Sequence, residues 1–166
     1  MAVYLFTFHA YRSWRPDHRA GYTRKGKGVL PPDAEQARRY DQRAKHAPVR
    51  FDEVEQIAIL DAVQTVCDRH TWRLHYACIT YNHMHLLVSW TSFTPWNDVR
   101  VRLKRKMGAS VSQATGRPGP WFSRGGRDSR KRVEKRSHFD HLVERYLPKS
   151  HHRGLHYCEY RGRWRQ

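Results

Sequence analysis

Two histidines separated by one residue, His83 and His85, stand inside a stretch of apolar and β-branched residues at positions 78–89. This stretch predicts two β-strands joined at a polar hinge, Tyr81-Asn82. Residues two apart in a strand project from the same face, so both imidazoles point the same way, as two ligands of one metal ion require. A bare pair of this kind is typically a polar patch on an edge strand. Here the apolar residues 86–88 follow at once, and a buried polar pair needs partners, of which a metal ion is one.

The charge balance indicates what such a metal would act on. The chain has 32 Lys and Arg against 15 Asp and Glu, a net charge of +17 and a pI of about 10.4. This imbalance favours a polyanionic partner, most often nucleic acid. Basic runs recur at residues 100–106, 124–136 and 161–165, near Trp96, Trp121 and Trp164. Aromatic and cationic side chains together suit stacked single-stranded bases, although a ribosomal-type protein, a solubilising surface or core tryptophans would give a similar pattern.

Length and composition predict a single domain over residues 1–166. No run approaches the ~20 apolar residues of a membrane span, and residues 2–10 lack a cleavable signal pattern. Three widely spaced cysteines fit neither a zinc knuckle nor a disulfide framework, which favours a reducing cytosol. Residues 11–49 are basic and rich in Gly and Pro. We interpret them as an insertion that folds over substrate, with a short helix at residues 33–44.

Hydrophobic periodicity predicts the first half of the fold. Residues 3–10 read as a strand, and residues 51–70 as a helix whose Asp52 and Glu55 form a capping box. The predicted core face of this helix consists of Ile57, Leu60, Val63 and Cys67. Two central strands follow at residues 72–80 and 85–90.

The second half is predicted in the same way. Thr94-Pro95 opens a second helix with the apolar stripe Val99, Leu103 and Met107. Ser137 is the expected cap of a third helix, which Pro148 breaks or kinks. The inward stripe of the third helix is Phe139, Leu142, Val143 and Tyr146. A last strand is predicted at residues 155–160, and the whole order indicates an α+β fold with helices over one face of an antiparallel sheet.

Between Val99 and Met107, every polar position of the second helix is cationic. Such a surface is often only solvated, but its single sign favours phosphate contact. The candidate DNA-binding residues are Arg100, Arg102, Lys104, Arg105, Lys106, Arg124, Arg130, Lys131 and Arg132.

A metal held by two histidines could serve phosphodiester cleavage, and a nucleophile is then required. Tyrosine can form a covalent intermediate, and Tyr146 is the best-placed candidate because it lies on the inward stripe near the end of its helix. Pattern alone favours a core tyrosine at this position.

At this point the chain resembles a known family. Residues 81–88, Tyr-Asn-His-Met-His-Leu-Leu-Val, resemble the His–hydrophobic–His (HUH) motif of IS200-like single-tyrosine transposases, which include those associated with repetitive extragenic palindromes. Their motif often begins with Pro, where this chain has Tyr81. Residues 6–8, 51–72 and 121–126 resemble the first strand, the first helix and a Trp/Gly loop of that family. Residues 142–146 followed by Gly154 resemble its catalytic helix.

The resemblance implies a ferredoxin-like antiparallel sheet with the two histidines on a central strand. It implies that His83 and His85 bind Mg²⁺ or Mn²⁺, and that Tyr146 attacks single-stranded DNA to leave a 5′-phosphotyrosine and a free 3′-hydroxyl. It also implies a third ligand after the tyrosine. We expect His151, with Ser150 and His152 left open because Pro148 disturbs the helical register.

The implied partner is single-stranded or hairpin DNA, bound by a monomer or a homodimer, in the bacterial cytoplasm and in association with the nucleoid. Two other functions remain open. One is an inactive or domesticated relative that binds hairpin DNA or RNA without cutting it. The other is a basic RNA-binding domain with structural histidines.

Overall fold

The computed structural model describes residues 1–24, 26–123, 130–150 and 154–157. The strands are β1 Ala2–His9, β2 Tyr22–Arg24, β3 Gly28–Leu30, β4 Arg73–Ile79, β5 His83–Trp90, β6 Arg130–Arg132 and β7 Leu155–Tyr157. The helices are α1 Ala34–Arg43, α2 Glu53–Arg69, α3 Trp96–Thr115, α4 Arg136–His141 and α5 Leu147–Ser150, with a π-helical turn, Leu142–Tyr146, between the last two.

Within the described ranges the main sheet has five antiparallel strands in the order β6-β1-β5-β4-β7. The segments β1, α2, β4, β5, α3 and β6 follow one another as β-α-β-β-α-β, the ferredoxin-like arrangement, and β7 extends the sheet beside β4. The predicted fold class is confirmed. The arrangement puts β5, which carries both histidines, between β1 and β4 at the centre of the sheet.

Helices α2 and α3 cover one face of this sheet. The capping box of α2 forms as predicted, with Asp52 accepting from the Glu55 N–H at 2.8 Å and Glu55 accepting from the Asp52 N–H at 3.0 Å. The predicted core stripe of α2 was wrong at Ile57, which is exposed, while Ile59 is buried. The stripe on α3 is confirmed, because Val99, Leu103 and Met107 are fully buried.

The opposite face of the sheet is also covered, which corrects the prediction of helices on one face only. The residues that bury this second face come from α4, the π-helical turn and α5: Phe139, Leu142, Val143 and Leu147. They pack on Leu5 and Leu87, whose neighbours Phe6 and Leu86 point into the other core. Strand alternation therefore gives each face its own apolar core.

The tyrosine segment begins and bends differently from the prediction. The N-cap of α4 is Lys135 rather than Ser137, without a side-chain capping bond. Pro148 does not end the segment, because helix continues to Ser150. In the preceding π-helical turn the N–H of Leu147 donates to the carbonyl of Leu142, five residues back. A wider turn of this kind accommodates a proline ring that a regular α-helix would exclude.

The insertion at residues 11–49 contains ordered elements. Strands β2 and β3 form a separate hairpin, and α1, capped by Asp33, confirms the short helix expected there. The hydroxyl of Tyr22 donates to Gln36 of α1 at 2.9 Å. Gly21 enters the hairpin with a φ of 80°, and a Cβ there would lie 2.1 Å from the carbonyl oxygen of Leu30, so only glycine fits.

The described helices include none that is long and apolar enough to cross a membrane. Cys67 and Cys78 are buried thiols, and Cys158 lies outside the described residues.

Candidate metal and nucleophile site

His83 and His85 lie at the start of β5, two residues earlier than the strand was predicted to begin. In the register with β1, His83 stands opposite His9 and His85 opposite Thr7. Cys78 of β4 stands on the other side of His85. The two imidazole centroids are 5.4 Å apart with their planes at 88°. Because His83 and His85 alternate in step with Leu87 along β5, the pair lies on the sheet face that the tyrosine segment covers.

Both rings are oriented through Nδ1. Nδ1 of His85 is 2.8 Å from the Thr7 hydroxyl, and Nδ1 of His83 is 2.6 Å from Oδ1 of Asn82. The Thr80 hydroxyl lies 3.3 Å from the same Nδ1 of His83. An amide oxygen is an acceptor, so His83 donates from Nδ1, and a metal would be coordinated through Nε2. Contacts of this kind fix the orientation of metal-binding histidines.

The donor chemistry fits a divalent cation, because the neutral imidazole ring is a common metal ligand. No group of three His, Cys, Asp or Glu residues suited to a metal occurs among the described residues. The expected third ligand, His151, and its alternative His152 lie outside those residues, as does the side chain of Ser150. Burial raises the pKa of the Cys78 thiol to about 12, so this neighbour of His85 stays protonated at neutral pH and is a poor ligand.

Tyr146 ends the π-helical turn, and its ring centroid lies 5.7 Å from that of His85 in the same chain. The residue is 41% exposed, whereas Leu142, Val143 and Leu147 around it are buried. The prediction that Tyr146 shares the buried stripe was therefore wrong, and so was the alternative of a core tyrosine. The π-helical turn changes the helical phase and brings the ring to the edge of the core beside the histidines.

The cationic residues of α3 lie away from this site, because α3 packs on the other face of the sheet. Arg100 lies over the Phe8 ring at 5.8 Å, and burial lowers the pKa of its guanidinium. Arg102 is 3.4 Å from the His70 ring, and the Lys104 ammonium donates to the Ser123 carbonyl. Arg105 is exposed and Lys106 half-buried.

The candidates on β6 are divided between the two faces. Lys131 pairs with Leu5 and is on the histidine face, where it contributes to the lowered pKa of His138, whose main cause is burial. Arg130 and Arg132 are on the other face. Arg130 stacks on Trp96 at 3.7 Å, and Arg132 pairs with Glu134 at 3.5 Å. Arg124 lies outside the described residues.

Sequence reasoning did not identify Thr7, Asn82 and His9 as part of this region. His9 stacks on His83 at 5.8 Å with the planes 22° apart, and burial lowers its pKa, which favours the neutral ring. The mixed face of the first strand, with Thr7 and His9 two residues apart, was the available signal. Only the pairing of β1 with β5 places that face beside the histidines.

No protein-family model and no curated protein matches the chain. Among solved structures, it is similar to the REP-associated tyrosine transposase bound to a REP hairpin, with a TM-score of 0.53 and 11% sequence identity over 90% of this chain and 68% of that one. A crystal structure from Deinococcus radiodurans R1, described as a candidate transposase, matches with a TM-score of 0.48 and 13% identity over 87% of each chain. The first likeness shows that this chain has the fold of a tyrosine transposase.

Proposed function

We propose that this chain is a metal-dependent single-stranded DNA transesterase, a single-tyrosine HUH transposase that nicks and rejoins DNA through a 5′-phosphotyrosine. The observation that carries the proposal is the exposed Tyr146 ring 5.7 Å from His85, on a fold shared with a tyrosine transposase. The two histidines alone would fit many metal sites. Their pairing with an accessible tyrosine at the end of a helix favours covalent catalysis.

His83 and His85 would hold Mg²⁺ or Mn²⁺ through Nε2, with His151 the proposed third ligand and Ser150 and His152 its alternatives. When bound, the ion would supply Lewis-acid polarisation of a non-bridging phosphate oxygen. Thr7 and Asn82 keep the two rings in place. Because oriented ligands lose little freedom on binding, these contacts favour a single geometry at the scissile phosphate.

Tyr146 would be the nucleophile. Its oxygen attacks the phosphorus, the bond from phosphorus to the 3′-oxygen breaks, and the tyrosine proton is lost as the 3′-oxygen gains one. The products are a 5′-phosphotyrosine and a free 3′-hydroxyl. That hydroxyl, or one from another strand, then attacks the phosphotyrosine and restores both the phosphodiester and the tyrosine. One phosphate ester replaces another in each step, so no nucleotide hydrolysis is needed.

The DNA would be bound by cations on both faces of the sheet. Lys131 lies on the histidine face and is proposed to contact DNA near the site. The α3 cations and those of β6 on the far face would contribute at longer range, or through DNA that wraps the sheet edge. We propose single-stranded or hairpin DNA as the substrate and the bacterial cytoplasm, in association with the nucleoid, as the location. The chain would act as a monomer or a homodimer.

The test is incubation of labelled hairpin DNA bearing a single-stranded tail with the protein and Mn²⁺, followed by a denaturing gel. We expect a covalent adduct with the wild type and none with Tyr146→Phe, which removes only the oxygen. Because Tyr146 is 41% exposed, the melting temperature should be nearly unchanged. Tyr40→Phe is the matched control, since Tyr40 is 57% exposed on α1, and it should leave the adduct intact.

An adduct that persists in Tyr146→Phe would mean that another residue, such as Tyr157 or Tyr160, is the nucleophile. A wild type that binds hairpin DNA but forms no adduct with either Mg²⁺ or Mn²⁺ would contradict the enzymatic proposal. It would favour the alternative of a basic hairpin-binding module.

A further inference from the structure

A continuous row of rings extends from the histidine pair into the insertion. Beyond His83, the His9 ring lies 6.3 Å from Trp14, and Trp14 lies 5.1 Å from His18. With His85 and Tyr146 at the other end, the row connects the proposed nucleophile to a tryptophan in the insertion. The members in order are Tyr146, His85, His83, His9, Trp14 and His18.

Trp14 is exposed, unlike the tryptophans of the core. Its relative exposure is 49%, compared with 6% for Trp72, 3% for Trp90 and 7% for Trp121. His18 stacks on Trp14 with the planes 21° apart, and His9 meets it at 58°. A large apolar ring held in solvent contributes little to the fold, yet it offers a flat surface for another ring.

The loop that carries Trp14 is braced on both sides. The Ser13 N–H donates to the Ala10 carbonyl at 3.1 Å, and the His18 N–H donates to the Arg15 carbonyl at 3.2 Å. The Arg15 guanidinium bonds to Asp17 at 3.1 Å and to Asp41 of α1 at 2.9 Å. The loop that carries the indole is therefore ordered before any ligand binds, which lowers the entropic cost of using it.

We infer that the exposed indole of Trp14 is a stacking platform for one unpaired base of single-stranded DNA, close to the nucleotide at the histidine pair. The chain's net charge of +17 draws in a polyanion, and every base offers a π-face to an aromatic side chain. His18 stacks on the indole, so the base would stack on the part of the ring that remains exposed. The inference rests on the proposed function, because it takes DNA to be the ligand that passes over the histidines.

The test separates base contacts from phosphate contacts. Affinity is measured by fluorescence anisotropy in EDTA, so that no cleavage occurs, for oligo(dT) and for an oligomer of abasic nucleotides of the same length. The dissociation constant for the abasic oligomer divided by that for oligo(dT) reports how much the bases contribute to affinity. In Trp14→Ala we expect this ratio to fall about 5- to 150-fold, the effect of losing one base–aromatic stack, with affinity for the abasic oligomer unchanged.

Two variants control the experiment. Trp14→Phe keeps a ring and should retain most of the ratio. Phe93→Ala removes an aromatic ring that is fully exposed and follows β5, at the opposite end of that strand from His83. It should change neither affinity. Melting temperatures check that each variant folds.

A ratio that is unchanged in Trp14→Ala overturns the platform, and so does a wild type that binds both oligomers equally. The adduct assay on hairpin DNA, run in parallel, distinguishes this from failure of the proposed function. An adduct without a Trp14 effect removes only the platform. A Trp14 effect without an adduct keeps the platform and removes the transesterase.

Discussion

Thr7 and His85 form the contact that should control metal affinity most directly. Thr7→Val keeps the shape of the side chain but removes the hydroxyl 2.8 Å from Nδ1 of His85. We expect the Mn²⁺ concentration for half-maximal adduct formation to rise about 10- to 100-fold.

His83→Ala and His85→Ala should abolish the adduct while largely sparing DNA affinity, which comes mostly from phosphate contacts.

The control for this metal titration is Thr65→Val, on the exposed side of α2, where the Thr65 hydroxyl donates to the Asp61 carbonyl. It should leave the Mn²⁺ dependence as in the wild type. If Thr7→Val also does so, the hydroxyl does not orient His85.

His75 is a buried histidine remote from the proposed chemistry. It is 7% exposed, bonds to the Ser89 hydroxyl at 2.8 Å and meets the Phe139 ring edge-on at 5.0 Å. Burial, with a smaller contribution from Arg73, lowers the pKa of His75 to about 4. Above pH 6.5 the ring is neutral in both the folded and the unfolded chain. Between 6.5 and 4 only the unfolded chain takes up the proton, so stability is lost as the pH falls through that window.

Once the pH has fallen below this window, the free energy of unfolding should be lower by about 3 kcal/mol because of His75. His75→Gln retains a polar group for Ser89 but does not titrate. Urea denaturation from pH 7 to pH 4 should therefore show a shallower loss of stability in the variant than in the wild type. Parallel curves for the two proteins would show that His75 does not carry this pH dependence.

The π-helical turn decides where Tyr146 points. Regular α-helix over residues 142–146 would carry the tyrosine to a different angle around the axis. The proline at position 148 disfavours that geometry, because its ring clashes with the carbonyl four residues back. We expect Pro148→Ala to let the segment return toward regular helix, which would slow adduct formation without lowering the melting temperature.

A matched variant is Lys149→Ala, which changes the next residue of α5 but leaves the proline in place. Lys149 is exposed, and Pro148 is half-buried. It should keep the wild-type rate of adduct formation. An unchanged rate in Pro148→Ala would show that the turn persists without the proline, fixed instead by the packing of Leu142, Val143 and Leu147.

The charge of the whole molecule predicts how its affinity for DNA should depend on salt. With a net charge of +17, binding should release several counterions. The affinity for single-stranded DNA should then fall about 10³-fold or more between about 50 and 200 mM salt. The measurement is anisotropy over a salt series, and a flat response would rule out the nucleic-acid assignment.

Lys131→Gln should reduce the slope of this salt dependence by about one. The reduction should be larger than that caused by Arg105→Gln, which changes a cation on the far face of the sheet.

The sequence by itself determined much of the local structure and indicated the chemistry that we propose. Alternating apolar residues specify strands, and the Asp52 and Glu55 pair specifies the start of α2, because these signals act between residues close in the chain. The spacing of His83 and His85 puts both rings on one face of any strand that contains them. The charge balance needs no structure at all to indicate a polyanion.

Tertiary structure alone decided what faces the histidines. The pairing of β1 with β5 brings Thr7 and His9 to the pair, and no local signal specifies which strands become neighbours. Periodicity placed Tyr146 on a buried stripe, but the π-helical turn shifts the phase and exposes it. The cations of α3 were recognisable as a charged surface. Packing between residues distant in the chain places these cations on the sheet face opposite the histidines and places the loop with Trp14 beside the site.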